Sequence, residues 1–150
     1  MRLALKSVED LGQFVEKFAS GLFPDTIVLL EGPMGAGKTQ FVKLLCAALG
    51  SIDVASSPSF SLHNRYLTSE WSIDHLDLFR LKDESDLESS GFWDLFEPKV
   101  SGLKRLVLVE WADRLREWNV CDSLPKSWKM SEIEFSFVDG ADGERRVTVR

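Results

Sequence analysis

Cysteine is scarce in this sequence, and a long apolar run is missing altogether. The two cysteines, Cys46 and Cys121, show no spacing typical of a disulfide framework or of a zinc site, so we expect a reduced protein. The longest apolar runs are too short to cross a bilayer, and charged residues within the first ten positions interrupt any signal-peptide pattern. We therefore expect a cytoplasmic protein that has no membrane partner.

Basic residues are also in the minority. The chain has 18 Lys and Arg against 24 Asp and Glu, a formal net charge of -6. Because nucleic-acid backbones are bound by faces rich in Lys and Arg, this balance disfavours autonomous binding to RNA or DNA. His63 and His75 lack a Cys/His/Asp set at metal-ligand spacing, so zinc is not expected. The length of 150 residues and the 44% apolar content predict one domain, residues 1–150.

Predicted helices and strands alternate along the chain. The apolar stretches Thr26–Glu31 and Leu106–Val109 are typical of strands buried on both faces. Helical periodicity predicts helices at Val8–Ser20, after an N-cap at Ser7, and from Lys38 to about Leu49. Their expected core-facing residues are Val8, Leu11, Val15 and Phe18 in the first, and Phe41, Leu44, Leu45 and Ala48 in the second.

Shorter patterns complete the predicted order. They are a first strand at 2–5, two strands joined near Thr68–Glu70, a partly helical segment at Lys82–Phe96, and a terminal hairpin of Glu132–Val138 with Arg145–Arg150. This order predicts an α/β fold of the P-loop NTPase type, with a mainly parallel sheet, flanking helices and added antiparallel strands.

The segment EGPMGAGKTQF, residues 31–41, predicts a phosphate-binding loop. Gly32–Thr39 matches G-x-x-x-x-G-K-[ST], which chance produces in roughly one chain in two hundred of this length. The match follows a predicted buried strand and opens a predicted helix, as the motif requires. Its glycines allow backbone N–H groups to approach phosphate oxygens, while Lys38 would reach the β- and γ-phosphates and the Thr39 hydroxyl would bind Mg²⁺.

Two carboxylates are candidates for hydrolysis. Glu110 follows the apolar run Leu106–Val109, where a residue that holds Mg²⁺ or orients water is expected, and Asp77 ends another predicted strand. A guanine-specific N-K-x-D is not found, because Asn119–Asp122 has valine in place of lysine. A small-molecule kinase and a nucleotide-gated binding module with negligible hydrolysis stay open, since both need the same loop.

Four motifs together resemble a known family. They are GPMGAGKTQF, Ser57–Phe60 (SPSF), His75–Leu81 (HLDLFRL) and Val109–Trp111 (VEW). In this order they resemble the TsaE (YjeE) family of bacterial P-loop ATPases, whose pattern is G-x-x-G-A-G-K-T-T, S-P-T-[FY], H-x-D-L-Y-R-L and V-E-W. The resemblance covers nearly the whole chain.

The resemblance implies a role in making N6-threonylcarbamoyladenosine next to the tRNA anticodon. A member of the family binds ATP and Mg²⁺ and docks on the proteins TsaB and TsaD, which activate its ATPase; tRNA is reached through that complex. Hydrolysis would support turnover of the assembly. Lys38, Asp77 and Glu110 would be catalytic, Thr39 and Glu110 would hold the metal, and Ser57–Phe60 would be a switch-like loop. The implied nucleotide-binding residues are Gly32, Gly35, Ala36, Gly37, Lys38, Thr39, Gln40 and Trp111.

This sequence departs from the family pattern within the loop. Gln40 replaces the second threonine, which removes a hydroxyl near the α-phosphate but keeps the backbone N–H. Pro33 and Met34 replace the common Asp-Leu, which removes a carboxylate and stiffens the loop. Because Lys38, Asp77 and Glu110 are kept, we expect catalytic competence.

Overall fold

The computed structural model describes residues 1–53, 55–56, 58, 62–99, 101–140 and 143–150. Its strands are β1 (Arg2–Leu5), β2 (Thr26–Glu31), β3 (His63–Leu67), β4 (Trp71–Asp77), β5 (Lys104–Glu110), β6 (Lys129–Phe137) and β7 (Arg145–Val149). Its α-helices are α1 (Val8–Ser20), α2 (Lys38–Ala48), α3 (Glu84–Ser89) and α4 (Asp113–Glu117). Short 3-10 turns lie at Phe92–Phe96 and Cys121–Ser123.

All seven strands form one sheet in the order β1-β7-β6-β2-β5-β4-β3. The central strands β6, β2, β5 and β4 are parallel, and the outer strands β1, β7 and β3 pair antiparallel. The predicted α/β class, with a mainly parallel sheet and added antiparallel strands, is confirmed. Parallel pairing brings the carboxyl ends of β2, β4 and β5 to one edge of the sheet, and this edge carries the site described below.

The sheet is covered on both faces. Helices α1 and α2 pack on one face, against buried side chains such as Val28, Leu108 and Phe135. The other face, which includes Ile27 and Val109, packs against α3, α4 and the segments around them. The apolar run Thr26–Glu31 is buried along almost its whole length because a central strand with helices on both sides meets water on neither.

The predicted core faces of the first two helices are partly wrong. Val8 and Ala48 are exposed because they lie at the ends of their helices, beyond the packed middle. Phe14, Val42 and Cys46 are buried in addition to the residues predicted from the spacing. The bounds of α1 and β2 are confirmed, and α2 ends one residue earlier than predicted.

The later elements are confirmed with shifted bounds. The hairpin of β3 and β4, the helical part of Lys82–Phe96 and the terminal hairpin are all present. Strand β6 begins earlier than predicted, because its first residues pair with β2 from Thr26 onward and not with β7. In the part of the chain that the structure describes, no helix has the length and apolar character needed to cross a membrane.

Candidate functional site

The loop between β2 and α2 has the backbone of a phosphate cradle. Gly32, Gly35 and Gly37 all have positive φ, at 134°, 78° and 120°. A Cβ on Gly32 would lie 2.3 Å from the carbonyl oxygen of Phe135 in β6, so only glycine fits there. Among the described residues no side chain caps the N-terminus of α2, which leaves the N–H groups of its first turn facing the loop. Such an end binds anions.

Lys38 lies inside this loop and is buried. Its ammonium donates to the carbonyl oxygens of Gly32 and of Pro33, the latter at 3.2 Å, and lies 4.1 Å from the centroid of the Trp111 ring. Burial lowers the pKa of Lys38, and the nearby carboxylates of Glu110, Asp113 and Asp77 act in the opposite direction. The ammonium therefore stands where phosphate oxygens could replace its carbonyl partners.

Thr39, Glu110 and His75 form a hydrogen-bonded chain beside the loop. The Thr39 hydroxyl donates to Oε1 of Glu110 at 2.8 Å, and Nε2 of His75 lies 2.6 Å from Oε2 of the same carboxylate. Glu110 is only 2% exposed, so it is a buried carboxylate although it ends its strand. His75 was not among the predicted site residues; its signal was the strand alternation that places residues 75 and 77 on one face of β4.

Asp77 ends β4 directly opposite Glu110 in the parallel register. Its Oδ1 accepts a hydrogen bond from the backbone N–H of Phe79 at 2.9 Å, which fixes the turn that follows the strand. The ring of Phe79 lies 4.9 Å from that of Trp111, centroid to centroid, and Trp111 itself has a φ of 59°. The two aromatic rings therefore form one wall beside Lys38.

These residues enclose a cavity of about 410 Å³. It is lined by Met34, Gly35, Gly37, Lys38, Thr39, Gln40, Asp77, Phe79, Arg80, Glu110 and Trp111. Of the implied nucleotide-binding residues, Gly32 and Ala36 stand outside this lining; Gly32 contacts Lys38 through its carbonyl, and Ala36 is buried. The structure thus brings together Lys38, Asp77 and Glu110, the three residues expected to be catalytic.

The donor set fits a magnesium ion bound with phosphates. Oγ1 of Thr39 and Oε1 of Glu110 are hard oxygen ligands only 2.8 Å apart, so one ion could contact both. Across the described residues, no group of three or more His, Cys, Asp or Glu side chains is arranged to hold a metal ion by itself. Mg²⁺ commonly uses one or two protein oxygens and completes its shell with water and phosphate oxygens.

A second cavity of about 300 Å³ lies beside the same loop, away from Glu110. It shares Gly35, Gly37 and Gln40 with the first cavity, so the two meet at the loop. Its further lining comprises Leu5, Lys6, Ser7, Val8, Leu11, Ala36, Phe135, Gly143 and Arg145. The guanidinium of Arg145 stacks 4.4 Å from the centroid of Phe137. The predicted switch-like loop Ser57–Phe60 lies outside the described residues, apart from Pro58.

Comparisons with known proteins bear on the family and the fold of this chain. The sequence model of the family described as threonylcarbamoyl adenosine biosynthesis protein TsaE matches residues 5–147. The Rickettsia bellii protein named tRNA threonylcarbamoyladenosine biosynthesis protein TsaE is 37% identical over 116 residues, 75% of this chain and 74% of the relative. The Bacillus subtilis protein of that name is 30% identical over 125 residues, which are 83% of this chain and 69% of the relative. The crystal structure of YdiB from Bacillus subtilis matches the fold with a TM-score of 0.70 at 23% identity, and the match covers 99% of this chain and 83% of YdiB.

Proposed function

The chain belongs to the TsaE family, and we propose that it is the ATP-hydrolysing component of the machinery that makes N6-threonylcarbamoyladenosine in tRNA. One observation carries the proposal: Lys38, Thr39 and Glu110 converge on a single cavity at the phosphate loop. Lys38 supplies the charge for phosphate, while Thr39 and Glu110 supply paired oxygen ligands for a metal. Water is the phosphate acceptor in this account.

Each residue has a defined task in that reaction. Lys38 leaves the carbonyl oxygens of Gly32 and Pro33 and turns to the β- and γ-phosphates, where charge develops in the transition state. Thr39 and Glu110 would hold Mg²⁺, which would supply positive charge to neutralise the phosphates. Asp77, opposite Glu110, completes the acidic side of the cavity and orients the attacking water.

The second cavity supplies a place for the nucleobase. The two cavities meet at Gly35, Gly37 and Gln40. The family resemblance implies that the α-phosphate binds near Gln40, so a nucleotide whose γ-phosphate faces Glu110 would extend its base toward Val8 and Phe135. Val8 lines this cavity and is 65% exposed, so Val8→Trp should fill the cavity without disturbing the core. We expect Val8→Trp to weaken ATP binding and to spare binding of inorganic triphosphate. The control is Ile52→Trp, at a position 93% exposed and outside the lining of both cavities, which should change neither.

The proposed partners are TsaB and TsaD in the cytoplasm. A chain with a net charge of -6 is poorly suited to hold RNA by itself, so the tRNA would be bound by the partners. ATP occupancy and hydrolysis on this chain would then support turnover of the assembly.

Isotope transfer from solvent tests the reaction. Mg·ATP is incubated with the protein and its partners in ¹⁸O-labelled water, and the released phosphate is analysed by mass spectrometry. We expect one labelled oxygen in each phosphate, since water attacks the γ-phosphorus. A phosphorylated third molecule with unlabelled phosphate would identify a kinase. ATP binding without any phosphate release would identify a nucleotide-gated binding module.

A further inference from the structure

His75 is the most deeply buried polar side chain beside the site, with 0% of its surface exposed. It lies in the middle of β4, on the face that packs against α2, so its imidazole points between the sheet and the helix that carries Thr39. Its Nε2 lies 2.6 Å from Oε2 of Glu110. The ring of Tyr66 lies on another side, with its centroid 6.4 Å from that of His75.

The hydrogen-bonding state of this imidazole follows from its partner. An ionised carboxylate can only accept hydrogen bonds, so the hydrogen in the contact between His75 and Glu110 lies on Nε2 of His75. Nδ1 is buried and has no hydrogen-bond partner within the part of the chain that the structure describes. A leucine would fill this position without burying an unpaired nitrogen. The contact with Glu110 is therefore the feature that distinguishes histidine from an ordinary core residue here.

Glu110 has each of its oxygens committed to a different residue. Oε2 contacts His75, while Oε1 accepts from the Thr39 hydroxyl. Without the contact to Nε2, the carboxylate could rotate and present either oxygen, or neither, to Thr39. Hydrogen bonds of this kind fix the orientation of carboxylates that bind metals.

We propose that His75 is a positioning residue, which holds Oε2 of Glu110 so that Oε1 faces Thr39, the residue with which it would hold a magnesium ion. The role rests on the proposed function, because it acts through Glu110. His75 is not part of the cavity lining, so it would contact neither phosphate nor metal itself. Its removal should therefore disturb metal affinity and turnover while leaving the phosphate loop and Lys38 in place.

Three substitutions separate positioning from packing. Gln carries its amide nitrogen close to the place of Nε2, whereas the amide nitrogen of Asn reaches only the place of Nδ1. We expect His75→Leu and His75→Asn to raise the half-saturating Mg²⁺ concentration for nucleotide binding, and to lower kcat, by about 10–100-fold. His75→Gln should keep both the half-saturating Mg²⁺ concentration and kcat close to those of the wild type. Affinity for ATP in the absence of metal should stay within about threefold in all three.

A double-mutant cycle tests whether His75 acts through Glu110. In a Glu110→Ala background, adding His75→Leu should lower kcat no further, because the carboxylate it positions is gone. The proposal would be overturned if His75→Gln and His75→Asn had the same half-saturating Mg²⁺ concentration and the same kcat. It would also be overturned if the double mutant lost kcat by the product of the two single-mutant losses. If His75→Leu fails to fold, the comparison of Gln with Asn still decides. The Mg²⁺ dependence of nucleotide binding, measured by equilibrium titration with a fluorescent ATP analogue, remains measurable even if no phosphate is released; a protein that binds no nucleotide refutes the proposed function instead.

Discussion

Gly32 is the position where the phosphate loop is most tightly fixed to the sheet. It follows the last residue of β2, and its φ of 134° is one that only glycine adopts without strain. A Cβ there would meet Phe135 of β6 at 2.3 Å from its carbonyl oxygen and 3.1 Å from its carbonyl carbon. Because the obstacle is the backbone of a central strand, it cannot move aside as a flexible side chain would. Gly32→Ala should therefore destabilise the whole fold.

The expected loss can be estimated from two terms. Holding a residue other than glycine at this φ costs about 1–3 kcal/mol. Forcing a methyl group into a filled space costs about another 1–3 kcal/mol. We expect Gly32→Ala to lower the free energy of unfolding by about 2–6 kcal/mol, where each kcal/mol corresponds to about 2–4 °C in Tm for a chain of this size.

Gly35→Ala is the matched control within the same loop. Gly35 also has a positive φ, 78°, but a Cβ there would have no described atom within 4 Å. Only the backbone term applies, about 1–2 kcal/mol. Urea denaturation of each variant in the absence of nucleotide gives its free energy of unfolding by linear extrapolation. Equal stabilities for the two variants would show that the contact with Phe135 does not constrain the loop.

Three further predictions concern charged groups. Lys38→Ala should weaken ATP binding by about 10–100-fold in equilibrium titrations, since a charged donor contributes about 1.5–3 kcal/mol; unchanged affinity would remove Lys38 from the site. Glu110→Ala should bind ATP yet release phosphate at least about a hundredfold more slowly, and wild-type turnover would make Glu110 merely structural. Burial alone would raise the pKa of Asp74, but hydrogen bonds from His63 and Arg65 hold it below its ordinary value. The ionised Asp74 carboxylate therefore stabilises the fold above the pKa that it has in the unfolded chain. This contribution is lost as the pH falls through its lower pKa in the folded protein. Asp74→Asn should accordingly be less stable than wild type at pH 7, by about 1–3 kcal/mol, and the gap should narrow in acid; a gap independent of pH between 3 and 7 would contradict this.

Local patterns predicted the elements that build the site. The strand Thr26–Glu31 and the glycines after it are recognisable because an apolar run and a phosphate loop are each encoded in a few consecutive residues. Glu110 was predicted for the same reason, since it directly follows an apolar run. The terminal hairpin is another local feature, set by two alternating strands around a short glycine-containing turn.

Contacts between distant strands were beyond the reach of the sequence. The link from His75 to Glu110 depends on the parallel register of β4 with β5, which no local pattern encodes. Arg116, which joins Glu31 and Glu132, bridges α4 to two different strands, so its role appears only once the sheet order is known. Strand order depends on how the whole chain packs, so the contacts between side chains at the carboxyl ends of these strands cannot be predicted from local patterns.

Phosphate release from Mg·ATP, measured for the protein alone and with the TsaB–TsaD pair, is the decisive test of the proposed ATPase role. We expect slow release by the protein alone and strong stimulation by the pair, with both activities lost in Glu110→Ala. Tight ATP binding with no release in either condition would contradict it, as would stimulation that persists in Glu110→Ala.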